Sequence, residues 1–399
     1  MNKEIFPIKG FELSALKANI KYADKYDLVL MNWSPDASVA GVYTQNQFCA
    51  APVRIALENH KKKPLCAIIN TGYANAGTGQ QGFENAKAIC SAISKELSLD
   101  ANQVLPYSTG VIGEQMPLGT ILSALPKLKS GLNLKRWEKC AEGIMTTDTK
   151  TKISSKKFEY QGKDFHITGI SKGAGMIKPN MATMLAFIAT NINIEESLLK
   201  KLLKKVNEKS FNRITVDGDT STNDSFLLVA TGEAGNKKIE DENSELARLF
   251  EKELMSISIE LAQKIVRDGE GATKFVSLIT DSAKDSKEAL SVNYTIAHSP
   301  LVKTALFASD PNWGRILACV GRAGVENLEI SKVNIWLDDL LIVKNGAVNP
   351  EYTEAEGAKV MKQGEITIRT ELNRGNVSET VWTTDLSYDY VKINAEYRT

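Results

Sequence analysis

Histidine is scarce in this sequence. His60, His166 and His298 are the only three in 399 residues, and none has a partner at metal-ligand spacing. A histidine-based metal centre is therefore not expected, and a Ser-His-Asp triad would have to draw on the same three residues without a G-x-S-x-G elbow. The five cysteines, Cys49, Cys66, Cys90, Cys140 and Cys319, are odd in number, scattered and free of C-x-x-C pairs. That usage fits a reducing, cytoplasmic setting and small core residues rather than disulfides or nucleophiles. No charge of one sign dominates: 49 Lys+Arg against 48 Asp+Glu leave a formal net charge of +1. No global field draws in nucleic acid or an anionic membrane, so neither is expected as a partner. No uncharged apolar run reaches 18 residues, and the first four residues already carry charge, so neither a membrane span nor a signal peptide is expected.

Phosphate fingerprints are missing as well. No glycine loop has the G-x-x-x-x-G-K-[ST] spacing, and SKGAGM, from Ser171, lacks the third glycine of G-x-G-x-x-G. Asp217, Asp219 and Ser221 begin like a calcium loop, but its glycine is absent and Leu228 stands where its glutamate belongs. No cofactor is expected.

What is present is ordinary globular α/β material, with 43% hydrophobic residues, 24% charged residues and 27 glycines, in a chain long enough for two or three domains. Apolar runs of strand length occur at Leu65–Ile69 and Met184–Ile188. A helical stripe of Ile194, Leu198, Leu199, Leu202, Leu203 and Val206 predicts a helix capped by Asn193, with Glu196 completing a capping box. Lys200, Lys201, Lys204 and Lys205 fall on its other side and read as a solvated face. A second stripe, Leu246, Leu249, Phe250, Leu254, Ile257, Leu261 and Ile265, predicts a core helix from about Ser244 to Arg267. Five glycine-rich polar loops, beginning at Asn70, Ser108, Ser171, Asp217 and Asp268, suggest one shared polar site, since such loops bring backbone N–H groups close to a ligand.

Thr183, in KPNMATMLAFIAT, stands where a loop gives way to an apolar run. It reads either as a β-branched residue opening a buried strand or as a nucleophile exposed when the chain cuts itself at Ala182–Thr183. In the second reading one residue supplies hydroxyl and base, because an α-amino group titrates near ~7.7–8.0 and is partly neutral at pH 7.

KGAGMIKPNMATMLAFIATN resembles the processing signature of the ornithine acetyltransferase family, the glutamate N-acetyltransferases of arginine biosynthesis. Family-like segments recur in order along nearly the whole chain: VAGVYTQNQFCAAPV, STGVIG, IMTTDT, DGDTSTNDS, RDGEGATK, SPLVKTALFASDPNWGRILACVGRAG and the terminal INAEYRT. Lys150-Thr151 replaces the family's usual aromatic-proline after MTTDT, and NTGYANAGTG stands where NSGNANACTG is more usual.

The resemblance implies that Thr183 is the acyl-accepting nucleophile and that Ala182–Thr183 is the bond cut in maturation. It places Thr109 and Gly110 at the oxyanion, where donors gain most as charge develops, and Thr149, Lys172, Thr183, Glu270, Asn394 and Thr399 at the substrate. The implied reaction is ping-pong: N-acetylornithine acylates Thr183, ornithine leaves and glutamate takes the acetyl group; some members also use acetyl-CoA as donor. The implied fold is the α/β fold shared with D-aminopeptidase, self-cleaved into interlocked subunits 1–182 and 183–399, with a smaller C-terminal subdomain from about 280. A heterotetramer of two of each chain follows from the family. An N-terminal-nucleophile amidohydrolase or aminopeptidase, in which water takes the acyl group, is the competing enzymatic expectation. A non-catalytic binding protein, with Thr183 as plain strand core, is the third.

Overall fold

The computed structural model describes residues 4–178 and 184–396. Ala182, Thr183 and Thr399 thus lie outside the described residues. The chain forms two compact units: Met1–Asn212 with Asp219–Ile265, and Arg213–Gly218 with Val266–Thr399.

The first unit contains two sheets. In one, β1 (Phe11–Leu16), β2 (Leu28–Trp33), β4 (Cys66–Tyr73) and β5 (Val104–Val111) lie in that order. In the other the order is β3 (Ser38–Tyr43), β9 (Ser225–Ala230), β8 (Leu185–Thr190), β7 (Lys163–Lys172) and β6 (Lys152–Tyr160). One core joins the inner faces, with Met31, Ile69 and Tyr107 meeting Ile170, Phe187 and Leu227. The Tyr107 and Phe187 rings meet edge to face at 5.2 Å. On the outside of the first sheet, α2 (Gly79–Leu97) and α3 (Leu118–Ser130) cover Leu30, Ile68 and Val104, while α1 (Ala51–Asn59) packs on β5 and α4 (Trp137–Gly143) on β1. α5 (Glu196–Lys209) packs beside β3. α6 (Glu245–Arg267) lies on the outside of the second sheet, where Gly169 makes room: a Cβ there would stand 2.7 Å from Ile188 and 3.1 Å from Leu261. This explains the uninterrupted apolar run from Leu185. β8 is a central strand covered on both faces, so all six of its residues are buried and no polar alternation is required.

Both expected helices form, with Leu198, Leu199, Leu202, Leu203 and Val206 buried on α5. Three of the four opposite lysines pair at the surface, Lys200 with Glu196, Lys201 with Glu242 and Lys205 with Glu251. The cap at Asn193 is a correction. α5 begins at Glu196 behind Glu195, while the Asn193 side chain donates to the Asn236 carbonyl and Ile194 forms a bridge with Ile239. A tertiary contact claimed the residue that local spacing assigned to the cap.

The second unit is built on a six-stranded sheet. Its order is β13 (Ala347–Val348), β12 (Leu340–Lys344), β11 (Asn334–Leu337), β14 (Glu365–Glu371), β10 (Phe275–Ala283) and β15 (Val377–Thr384). One core joins Val276 and Leu278 of β10 and Ile366 and Ile368 of β14 to Val292 and Ile296 of a helix spanning Ser286–Ala297. No helix among the described residues is long and apolar enough to cross a membrane.

Candidate active site

The site in the first unit starts at the ends of two parallel strands. β4 and β5 pair Asn70 with Ser108, Thr71 with Thr109 and Gly72 with Gly110, and the register slips just beyond. Glycine is required at the slip. Gly110 has φ +130°, and a Cβ there would stand 2.2 Å from the Gly72 carbonyl carbon. Ser108 Oγ donates to Asn70 Oδ1 at 2.5 Å, and the Asn223 side chain donates to the Ala74 and Ser108 carbonyls at 2.6 and 2.9 Å. Thr109, 7% exposed, is thereby fixed on a rigid edge.

Lys172, the last residue of β7, reaches this edge and donates from Nζ to Thr109 Oγ1 at 3.1 Å. Its neighbour Gly173 donates to Asp148 Oδ1 at 2.7 Å, which ties the MTTDT segment, and with it exposed Thr149, to the end of β7. Asp148 also accepts from the Thr146 amide at 3.0 Å and pairs with Lys152 Nζ at 2.5 Å. Burial alone would raise the Asp148 pKa, but the charges of Lys172 and Lys152 and the Gly173 amide outweigh it and hold the carboxyl at about 2.

A second carboxyl behaves oppositely. Asp224 lies next to β9, whose Ser225 amide donates to the Met184 carbonyl at 2.8 Å. It lines a small cavity with Thr109, Lys172, Ser221 and Met184. Burial pushes Asp224 well above the usual carboxylate range, only partly offset by Ser221 and by the charge of Lys172. Its Oδ2 has no hydrogen-bond partner among the described residues. The cavity thus holds an ammonium group, a hydroxyl donor and a carboxyl group whose charged form burial disfavours, a setting suited to a substrate carboxylate or a developing oxyanion. Among the described residues no cluster of three or more His, Cys, Asp and Glu side chains could hold a metal ion.

Four of the five glycine loops contribute to this region of the first unit, the fourth through its residues from Asp219 onward. The fifth lies in the second unit, where Asn394 Nδ2 donates to Glu270 Oε2 at 2.8 Å. The structure therefore brings Thr109 and Gly110 together with Lys172, links them to Thr149 through Asp148, and separately pairs Glu270 with Asn394. Asp148, Asp224 and Asn223 were not singled out by sequence. Asp148 and Asp224 lie inside recognised motifs, but only contacts distant in sequence give them their charge states.

Because the Asp148 pKa falls from an ordinary 3.8 to about 2, its pairing contributes about 2 kcal/mol to stability. The contribution is present above pH ~4 and lost as pH falls toward 2. Unfolding free energies measured across this range should fall less steeply with acid in Asp148→Asn. At neutral pH, Lys152→Met should cost about 3–5 kcal/mol, since it strands a buried carboxylate. Equal acid slopes in the native protein and Asp148→Asn would refute the assignment.

Thr109 and Lys172 meet beside Met184, and the class of protein built on this frame is an acyltransferase. The chain belongs to the ArgJ family, whose profile matches residues 12–399. It is 51% identical over 395 residues to the arginine biosynthesis bifunctional protein of Pseudomonas fluorescens, covering 99% of this chain and 98% of that one. The namesake of Psychrobacter arcticus is 52% identical over 396 residues, covering 99% and 97%. The crystal structure of the Bacillus halodurans namesake is 36% identical over 51% of this chain and 95% of its own, with a TM-score of 0.49.

Proposed function

We propose that this chain transfers the acetyl group of N2-acetylornithine to glutamate through an ester on Thr183, and that it also accepts acetyl-CoA as donor, in arginine biosynthesis. The observation that carries the reading is the Lys172–Thr109 contact, which sets two of the implied site residues in one cavity with Met184, the residue after Thr183. The relatives' name, arginine biosynthesis bifunctional protein, at 51% identity over the full length supports the pathway and the second donor.

In maturation, Thr183 Oγ attacks the Ala182 carbonyl. The peptide shifts to an ester, and water hydrolyses it into fragments of 182 and 217 residues. Strands flank the cut on either side: β7 ends at Lys172, and β8, beginning at Leu185, pairs with both β7 and β9. The fragments stay together, and two pairs form a heterotetramer in the cytoplasm. In turnover, the freed α-amino group takes the Oγ proton as Oγ attacks the acetyl carbon. Thr109 and Gly110 stabilise the oxyanion. The intermediate collapses as the α-ammonium group passes that proton to the leaving ornithine nitrogen, and the glutamate amine then reverses the sequence. Lys172 pairs with a substrate carboxylate and Glu270 with an ammonium group, while Thr149, Asn394 and Thr399 supply oriented hydrogen bonds.

The test is acetylglutamate formation measured from acetylornithine and from acetyl-CoA separately. Both donors should serve. Release of acetate at a rate indifferent to glutamate would instead establish an amidohydrolase.

A further inference from the structure

Glu270 sits in a loop that has little to stiffen it. Residues 268–274, DGEGATK, join α6 to β10 and contain Gly269 and Gly271. Such a segment has a large conformational entropy to lose before it can present a carboxylate in one place. Beside its own turn bonds, from the Gly269 amide to the Val266 carbonyl and from the Ala272 amide to the Gly269 carbonyl, it is held by a segment more than a hundred residues away. Asp385, 4% exposed at the end of β15, accepts at Oδ1 from the Thr273 amide at 2.9 Å and from the Lys274 amide at 3.0 Å. Its Oδ2 accepts from the Thr273 hydroxyl. Two residues on, Ser387 Oγ donates to the Gly271 carbonyl at 2.7 Å and accepts from the Tyr390 amide at 3.2 Å. The fit is close. Gly271 has φ +65°, and a Cβ there would stand 2.5 Å from the Tyr390 nitrogen.

The same segment continues into the helix Tyr388–Ala395, which supplies Asn394 to Glu270 Oε2 and anchors that amide on the Tyr390 carbonyl at 3.0 Å. Beneath it lies Lys303, 4% exposed, with Nζ donating to Thr383 Oγ1 at 3.3 Å and to the Thr384 carbonyl. Burial lowers the Lys303 pKa to about 8, and the charges of Asp385 and Asp217 oppose that fall. One buried carboxylate, within the electrostatic reach of Lys303, thus closes the loop.

We propose that Asp385 is the positioning residue for Glu270: by accepting from the Thr273 and Lys274 amides and from the Thr273 hydroxyl, it orders residues 268–274 so that Glu270 meets the substrate ammonium already oriented. This rests on the proposed role of Glu270 as a substrate-binding group. Asp385 itself touches no substrate. Its loss leaves every binding group in the sequence but lets the loop fluctuate, so the ordering cost is transferred to binding and appears in KM.

The experiment is a cycle of steady-state kinetics on the full-length protein with acetylornithine and glutamate, using D385A, D385N, E270A and the double variant E270A/D385A. D385A should lower kcat/KM by about 10²-fold, mostly through KM, the scale of loss for misplacing a binding group from outside the site. D385N keeps an oxygen facing both amides and should recover most of that loss. In the E270A background, adding D385A should cost nothing further, because the two act through one contact. If D385A fails to fold, T273V and E270A/T273V, which remove the hydroxyl that Asp385 holds, carry the same cycle beside their melting temperatures. A lowered Tm with native KM in D385A, or in T273V where it stands in, overturns the proposal, as do losses that multiply in the double variant. A native KM in E270A alone overturns the reading of Glu270 and is a separate outcome.

Discussion

Thr183→Ala yields one full-length chain on a denaturing gel and no acetylglutamate from either donor. The loss is complete because the substitution removes the nucleophile in both of its uses: without the hydroxyl no ester forms at Ala182, and without cleavage the α-amino base never appears. Thr183→Ser separates this from a folding defect. It keeps hydroxyl and amine, so two fragments and measurable transfer should return. A single band from the native sequence under the same conditions would remove the basis of the mechanism, and fragments from Thr183→Ala would place the cut elsewhere.

Thr109→Ala should process and fold but lose about 10²–10³ in kcat, the range for removing one oxyanion donor. The site supports a clean deletion. Thr109 is buried on β5 next to Ser108, which Asn70 and Asn223 tie down, and its backbone pairing with Thr71 needs no side chain. Lys172, whose Nζ also contacts Thr109, should by contrast raise KM when replaced by methionine, since the proposed function gives its charge a substrate carboxylate to bind. Gly110→Ala is harsher, because a Cβ 2.2 Å from the Gly72 carbonyl carbon forces β4 and β5 apart. Stopped-flow measurement of ornithine release separates the cases: Thr109→Ala slows the first turnover, whereas Lys172→Met slows it only below saturation. An unaltered first turnover in Thr109→Ala would remove Thr109 from the oxyanion.

The α/β class and the long helices were legible in sequence because each follows from a local rule. The stripe on α6 needs only a period of 3.6, and Leu246, Phe250, Leu254, Ile257, Leu261 and Ile265 are buried as that period requires, with Leu249 half-buried at its edge. The run from Leu185 read as strand for the same reason. The cap at Asn193 did not follow, because Asn236, 43 residues on, competes for its side chain. Capping propensity is a weak local preference that one tertiary contact outweighs.

The site divides along the same line. Thr109, Gly110, Lys172 and Glu270 were named because motifs mark them, but no motif states that Lys172 bonds Thr109 across 63 residues. Asp148 and Asp224 are clearer cases. Both are aspartates in polar motifs, yet one is held at about 2 by two lysines and an amide while the other is driven upward by burial with one oxygen unpartnered. Charge state belongs to the environment, and no local spacing encodes it. The loop at Glu270 reads as glycine-rich and polar, whereas its anchor at Asp385 becomes visible only when β15 lies beside β10.

The most direct test of the central claim is to mix the processed protein with acetylornithine alone and follow both ornithine release and the mass of the fragment beginning at Thr183. The acyl-enzyme account predicts a burst of one ornithine per site, one acetyl group on that fragment at Thr183, and its transfer to acetylglutamate when glutamate is added. Steady ornithine and acetate release with no acetylated fragment, unchanged by glutamate, would contradict it.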